Sequence, residues 1–406
     1  MGNLLWKSLL VALVGLLLYQ TQFNGEFGAF IKSSPIYINI EKLIRINFPM
    51  LKEDDIFELA KINLTRAEES EDGFKEVSKE LYSAFNSVGF AYVTDLKGFD
   101  PDELLYWTKW FYNLPEKDKL RITRNTFVKE NPNRYRGFFP RIPGGHSFKE
   151  AFEIGTFNRK SFTKEFPEDT DLVVNQTKIE GKLYTRNIVQ EMNSWPITGN
   201  KDKDEAFRLF MQDNYKLFQN ACLLIMQMLA TGLGFERTKF DNMFGSNQLS
   251  TKRLIHYPTR LHAPETIPSE AWDGGKAIVT GEHFDSGILT ILATFENAGL
   301  QIKPHGFSKW IDVPAMKNNL VINIGALLAD IVEDRLVATN HRVLDIGVER
   351  FSVPFFLEPQ YDGDISRTVY GKKVKSVGKL TKYGPYMTNR TRMFAEYSKM
   401  DWGILD

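Results

Sequence analysis

The chain has 406 residues, 43% hydrophobic and 13% aromatic with 31 Phe, which is enough apolar material for one large domain or two ordinary ones. Lys plus Arg and Asp plus Glu are 51 each, so the formal charge is zero, which argues against a nucleic-acid binder and its basic face. The single Cys222 excludes an internal disulfide framework and any multi-cysteine zinc or iron–sulfur site within one chain.

The chain opens with "MGNLLWKSLLVALVGLLLYQTQF", in which Lys7 precedes twelve uncharged, mostly apolar residues, 8–19. This predicts a signal peptide or short membrane anchor over residues 1–30, with residues 4–19 as the membrane-facing part. No small-x-small cleavage site follows, which favours an anchor kept in place. Three N-x-S/T sequons, Asn63, Asn175 and Asn389, agree with luminal exposure but arise often by chance. The expected location is the secretory pathway or a membrane-tethered enzyme, with the cytoplasm as the alternative.

After the leader, "SPIYINI" reads as a first short strand. Residues 72–90 place Phe74, Val77, Leu81, Phe85 and Val88 at three- and four-residue steps, which predicts an amphipathic helix ended by Gly89. "FAYVTDL" then reads as a strand. A second helix opens near Asp100–Pro101, and residues 131–145, dense in Pro, Gly, Arg and aromatics, read as a long ordered loop. A long helix is expected over 202–234, with Phe207, Phe210, Met211, Tyr215, Phe218, Cys222, Ile225, Met226 and Leu229 on one face. From about Gln248 the pattern changes to short β-rich runs separated by turns, which predicts a β-sandwich or barrel of the jelly-roll type.

Within those runs, "GEHFDSG" carries His283 and Asp285 two apart, on one face of a strand end. His341 in "TNHRVL" offers a third ligand from a neighbouring strand. Two imidazoles and one carboxylate on one side of a metal leave other positions open, the facial set of non-heme Fe(II) and O₂ chemistry. Nine residues on, Arg350 and Ser352 form a second i, i+2 pair. A guanidinium aimed into a β-core needs an anionic partner, and a ligand carboxylate supplies one, with Tyr257 adding its hydroxyl. His146, His256, His262 and His305 lack such company and read as loop or satisfied polar residues, with His256 at most lining the pocket. Arg136 and Tyr135 are read as substrate-binding or packing residues.

At these motifs the chain resembles the isopenicillin N synthase-like group of Fe(II)/2-oxoglutarate-dependent oxygenases. The likeness runs through "PIYINI", "GFAYVTDL", "NRYRGFFP" and "KEAFEIG" to "HFDSGILTIL", "LVINIG", "TNHRV" and "RFSVPFFLEP". It implies a mixed α+β fold, a double-stranded β-helix (jelly-roll) core with flanking N-terminal helices. It implies iron on His283, Asp285 and His341, and the distal carboxylate of 2-oxoglutarate on Arg350, Ser352 and Tyr257. Ascorbate is a candidate reductant and the partner is a small-molecule substrate. The domains would be a leader (1–30), an N-terminal oxygenase region (31–245), the dioxygenase core (246–360) and a C-terminal extension (361–406). Three positions depart from the family pattern: Ile255 replaces the usual Asn two before the tyrosine, Phe284 sits between the ligands, and Gly325-Ala326 replaces Gly-Asp. The rival readings are a 2-oxoglutarate-independent iron oxidase, a non-catalytic binding protein on the same fold, and a zinc hydrolase using the same His₂-carboxylate set.

Overall fold

A computed structural model describes residues 58–142, 147–156, 176–179, 181–245, 247–260, 267–394 and 396–404. The leader, the "SPIYINI" segment, Asn175, His146 and His262 lie outside the described residues. No helix among the described residues is long and apolar enough to cross a membrane.

The strands are β1 (Lys61–Asn63), β2 (Phe90–Thr94), β3 (Gly137–Phe139), β4 (Glu150–Gly155), β5 (Gln176–Ile179), β6 (Lys182–Thr185), β7 (Thr251–Tyr257) and β8 (Trp272–Asp273). They continue with β9 (Lys276–His283), β10 (Leu289–Ala293), β11 (Leu300–Lys303), β12 (Ile311–Asp312), β13 (Leu320–Ile324), β14 (Asn340–Leu344) and β15 (Arg350–Leu357). The helices are α1 (Leu64–Glu69), α2 (Glu71–Ser87), α3 (Pro101–Tyr112), α4 (Glu116–Leu120), α5 (Arg186–Val189), α6 (Lys201–Gly232), α7 (Ala326–Ile331) and α8 (Tyr383–Thr391).

Helix starts follow side-chain capping. Asn63 accepts from the Arg66 amide and also donates to Asp95 at 2.8 Å, so this sequon asparagine is engaged as a cap. Ser70 caps α2, whose first turn carries Glu71 and Asp72 where the helix dipole favours negative charge. Asp100 caps α3 and Pro101 follows at its first position. The end of α2 depends on Gly89. Its φ is +74°, and a Cβ there would lie 1.9 Å from the Val337 carbonyl oxygen, so this turn accepts only glycine.

Eight strands form one sheet in the order β1-β2-β13-β10-β15-β7-β4-β3, and five form a second in the order β12-β11-β14-β9-β8. Alternation within the strands divides the apolar residues between two layers. One layer lies between the sheets and holds Phe90, Tyr92, Ile255 and Val321 of the large sheet with Val279, Ile302 and Val343 of the small one. The other joins the outer face of the large sheet (Ile291, Ile322, Val353, Phe355) to the helices (Phe85, Phe207, Met211, Phe218, Ile225). This is a mixed α+β jelly-roll with helices on one side. The long helix α6 has the apolar face expected of it, with Cys222 fully buried and Phe210 only partly so. The 131–145 loop differs from expectation in one respect: Gly137–Phe139 pairs with β4 and becomes an edge strand.

Candidate metal centre

The small sheet builds the centre. His341 on β14 pairs in register with His283 at the end of β9, so the two rings face each other at 4.3 Å between centroids. Asp285 stands just past β9, where its backbone carbonyl accepts from the Ala326 amide at 2.8 Å at the head of α7. One ligand atom from each of His283, Asp285 and His341 lies within 4.8 Å of the others. The sequence reading and the geometry name the same three residues.

The surroundings fix which atoms are free. His283 Nδ1 lies 2.9 Å from the Gly281 carbonyl and His341 Nδ1 lies 3.1 Å from the Thr339 carbonyl. A carbonyl only accepts, so each Nδ1 carries the proton and each Nε2 presents a lone pair. Asp285 Oδ2 accepts from Thr290 Oγ1 at 2.6 Å and from Asn323 Nδ2 at 2.8 Å. Its Oδ1 stays free, 3.9 Å from His283 Nε2 and 3.8 Å from His341 Nε2. Burial, then the neighbouring His341, pushes His283 down to about 4, against the pull of Asp285. Burial pushes Asp285 up, but the two histidines and its two hydrogen bonds outweigh it and hold the carboxyl below the usual range. Two imidazoles and one carboxylate, oriented from behind with Nε2, Nε2 and Oδ1 converging, suit one divalent ion. Thr290 and Asn323 were not legible in the sequence, because they meet Asp285 only through the β10–β13 register that pairs them.

The large sheet supplies the second group of residues. Arg350 is directly opposite Tyr257, and Ser352 opposite Ile255, on the inward faces of β15 and β7. Arg350 is 2% exposed, donates Nε to the Ala298 carbonyl at 2.9 Å, and lies 4.9 Å from the Tyr257 ring centre. Its Nη1 is buried with no hydrogen-bond partner. Burial pushes the Tyr257 phenol up, but Arg350, then Lys149, with Thr280 and Ser352 at the hydroxyl, hold it below its ordinary value. An orphaned buried guanidinium N–H beside two hydroxyl-bearing side chains fits a ligand carboxylate. Ile255 stands where the family's asparagine is usual, buried in the layer between the sheets.

Strand alternation decides between the readings of the remaining residues. His256 faces the opposite side of β7 from Tyr257. There it bridges Glu150 (2.7 Å) and Glu349 (2.8 Å) and stacks on Phe351, so it is no pocket residue. Arg136 is fully buried and bonds Thr251 Oγ1 at 2.7 Å, which is a packing position, while Tyr135 does reach the cavity.

A cavity of about 370 Å³ opens beside His283 and Asp285. Two of its walls are not legible from the chain alone. One is the C-terminal segment, with Tyr383, Met387, Phe394 and Tyr397. The other holds Lys149 and Glu358. Tyr397 is pinned by a buried network in which its hydroxyl donates to Glu153 at 2.6 Å, and Glu153 also pairs with Arg124 and Arg253. Burial, then Asp285, pushes the Glu358 carboxyl up to about 8 against the pull of Arg136.

The jelly-roll, the histidine–carboxylate cluster and the buried arginine together define a non-heme metal oxygenase architecture. The family description "2OG-Fe(II) oxygenase superfamily" matches residues 253–359, and "non-haem dioxygenase in morphine synthesis N-terminal" matches residues 59–174. The isopenicillin N synthase of Streptomyces jumonjinensis is 27% identical over 321 residues, 78% of this chain and 89% of that one. A probable iron/ascorbate oxidoreductase of Dictyostelium discoideum is 27% identical over 303 residues, 71% of this chain and 77% of that one. Among solved structures, a full-length Neurospora crassa protein in complex with alpha-KG and 5-formyluracil superposes with a TM-score of 0.63 at 23% identity, covering 85% of this chain and 99% of its own. The rice dioxygenase for auxin oxidation superposes with a TM-score of 0.55 at 19% identity, covering 83% and 95%. The chain belongs to the 2OG-Fe(II) oxygenase superfamily, in its isopenicillin N synthase-like group. It is an Fe(II)/2-oxoglutarate-dependent dioxygenase.

Proposed function

We propose that His283, Asp285 and His341 hold the Fe(II), and that Arg350, Ser352 and Tyr257 hold the distal carboxylate of 2-oxoglutarate. The observation that carries this reading is the pairing of two sets of free atoms on facing sheets. Nε2, Nε2 and Oδ1 converge on one side, and the partnerless Arg350 Nη1 waits on the other. Bound together at this site, Fe(II) and 2-oxoglutarate supply O₂-dependent oxidation of the substrate, with succinate and CO₂ as co-products. The chain's own part is positional. Gly281 and Thr339 hold the imidazole tautomers, Thr290 and Asn323 aim the carboxylate, and the apolar layer between the sheets keeps water from Arg350. Ascorbate is proposed as the reductant on the strength of the Dictyostelium relative's name. The substrate is proposed to be a small molecule taken into the cavity walled by Phe356, Tyr383, Met387 and Phe394.

The domain division at 31–245, 246–360 and 361–406 is retained as a proposal, with the first two parts sharing the large sheet through β1, β2, β3 and β4. The apolar run at 4–19 supports a secreted or membrane-tethered location, with the cytoplasm as the alternative.

The test is anaerobic loading with Fe(II) and titration with 2-oxoglutarate, following the visible iron-to-ketoacid absorption band. His283→Ala should abolish the band, and Arg350→Ala should weaken 2-oxoglutarate ~30-fold or more, the range for removing one partner of a buried charged pair. Unchanged cosubstrate affinity in Arg350→Ala would sink the assignment of Arg350. Bound iron with no band would instead indicate an iron oxidase that needs no 2-oxoglutarate.

A further inference from the structure

We propose that Glu358 is a substrate-selecting residue whose carboxyl accepts a hydrogen bond from an N–H or O–H group of the substrate. The proposal rests on the iron and 2-oxoglutarate sites assigned above, and it extends them to the substrate side of the cavity.

Position comes first. Arg350 and Ser352 face inward on β15, and the same two-residue alternation carries Phe356 and then Glu358 onto that face at the strand's far end. Ser250 fixes the Glu358 backbone there, with the Glu358 amide donating to Ser250 Oγ at 3.0 Å. Across from it, Gly287 follows Asp285 by two residues, and a Cβ at that glycine would lie only 2.6 Å from Glu358 Oε1. The missing side chain at 287 is what admits the carboxyl beside the metal-side loop.

Chemistry comes second. The other buried charged groups lining the cavity are already paired. Asp285 accepts from Thr290 and Asn323, Lys149 pairs with Glu396 at 3.4 Å, and Arg253 pairs with Glu153. Glu358 Oε2 is buried with no hydrogen-bond partner, and no ion pair reaches this carboxyl among the described residues. A polar group kept in a wall without a protein partner is what a ligand-binding position looks like in the ligand's absence. An acceptor oxygen is available whether or not the carboxyl carries a proton, so the reading does not depend on its ionisation. Phe356, Met387 and Phe394 give the wall an apolar stretch among hydroxyl-bearing side chains such as Thr251, Tyr383 and Thr391. The substrate class is therefore an aromatic or aliphatic body bearing a hydroxyl or amide N–H.

The experiment uses the Fe(II)- and 2-oxoglutarate-loaded protein under anaerobic conditions, with a library of matched small fragments. Each pair is a phenol with its methyl ether, or a lactam with its N-methyl form, and binding is read by calorimetry. The donor member of the bound pairs should bind about tenfold more tightly than its methylated partner in the wild type and in Glu358→Gln, and within about twofold in Glu358→Leu. Equal binding of the two members in the wild type, a donor preference that survives in Glu358→Leu, or no donor fragment bound at all would each overturn the proposal. The 2-oxoglutarate band is recorded on the same samples. A normal band in Glu358→Leu shows that the variant is folded and loaded. A missing band in the wild type indicts the cosubstrate assignment instead.

Discussion

Glu396 gives the sharpest test of how the C-terminal segment is held over the cavity. Its carboxyl lies 3.4 Å from Lys149 Nζ, with the two side chains only 11% and 9% exposed. Burial pushes Glu396 up, but Lys149, then Arg253, outweigh it and hold the carboxyl at about 2 against an ordinary 4.5. A difference of that size corresponds to ~3 kcal/mol of stability. Because the folded-state pKa is depressed, this contribution is fully present above the ordinary carboxylate range and is lost as pH falls from about 4.5 toward about 2. Glu396→Gln should therefore lower the urea unfolding free energy by ~3 kcal/mol at neutral pH, with the gap to wild type closing under acid. The buried pair is weakly screened, so added salt should change the gap little. Lys149→Met in the Glu396→Gln background should recover part of the loss, since it removes the cation left buried and alone. Parallel pH–stability curves for wild type and Glu396→Gln would refute the reasoning, because they would show that Glu396 titrates alike in the folded and unfolded chain.

Three further outcomes are expected. Gly89→Ala should cost more than ~2 kcal/mol by urea unfolding, since it combines a left-handed backbone angle with a direct clash against the Val337 carbonyl. Asn323→Ala, which frees Asp285 Oδ2 from one of its two anchors, should weaken Fe(II) binding ~10- to 100-fold in a competition titration while leaving the fold intact. Lys252 is buried against Asn214 and Phe218, and burial pushes its amine well below the ordinary range. The unfolded chain thus binds the extra proton, so the wild type should gain stability as pH rises toward the ordinary lysine range, a gain that Lys252→Met should lack.

What could be read from the chain and what could not follows from the period of a strand. His283 with Asp285 and Arg350 with Ser352 are i, i+2 pairs, and in an extended backbone that spacing alone puts both members on one face. The helices were legible for a similar reason: α2 and α6 repeat their apolar residues at three and four, and Gly89 marks the end of α2. Pairing between strands is a different kind of information. Nothing local says that His341 will lie opposite His283, or that Thr290 and Asn323 will be register partners over Asp285. The resemblance supplied the first of these, and the second appeared only once the sheet was assembled. His256 sits beside Tyr257 in sequence, but alternation sends it to the outer face, where it is a satisfied polar residue between Glu150 and Glu349.

The same alternation explains why Glu358 escaped notice while Arg350 did not. Both belong to one inward row along β15 and its first following residue, so the row reads Arg350, Ser352, Pro354, Phe356, Glu358 from the proposed cosubstrate end to the proposed substrate end. Arg350 stood out because a buried guanidinium in a β-core is conspicuous without a structure. Glu358 falls just past the last strand residue, Leu357, where a charged side chain reads as an ordinary exposed turn. Only the glycine at 287 and the C-terminal segment, brought from far along the sequence, enclose it. On these proposals, one strand sets the separation between the cosubstrate grip at Arg350 and the substrate grip at Glu358, and a substitution along it moves one relative to the other. That is a physical reason for one jelly-roll to serve different small molecules by changing the residues at the far end of β15 and the segment that covers them.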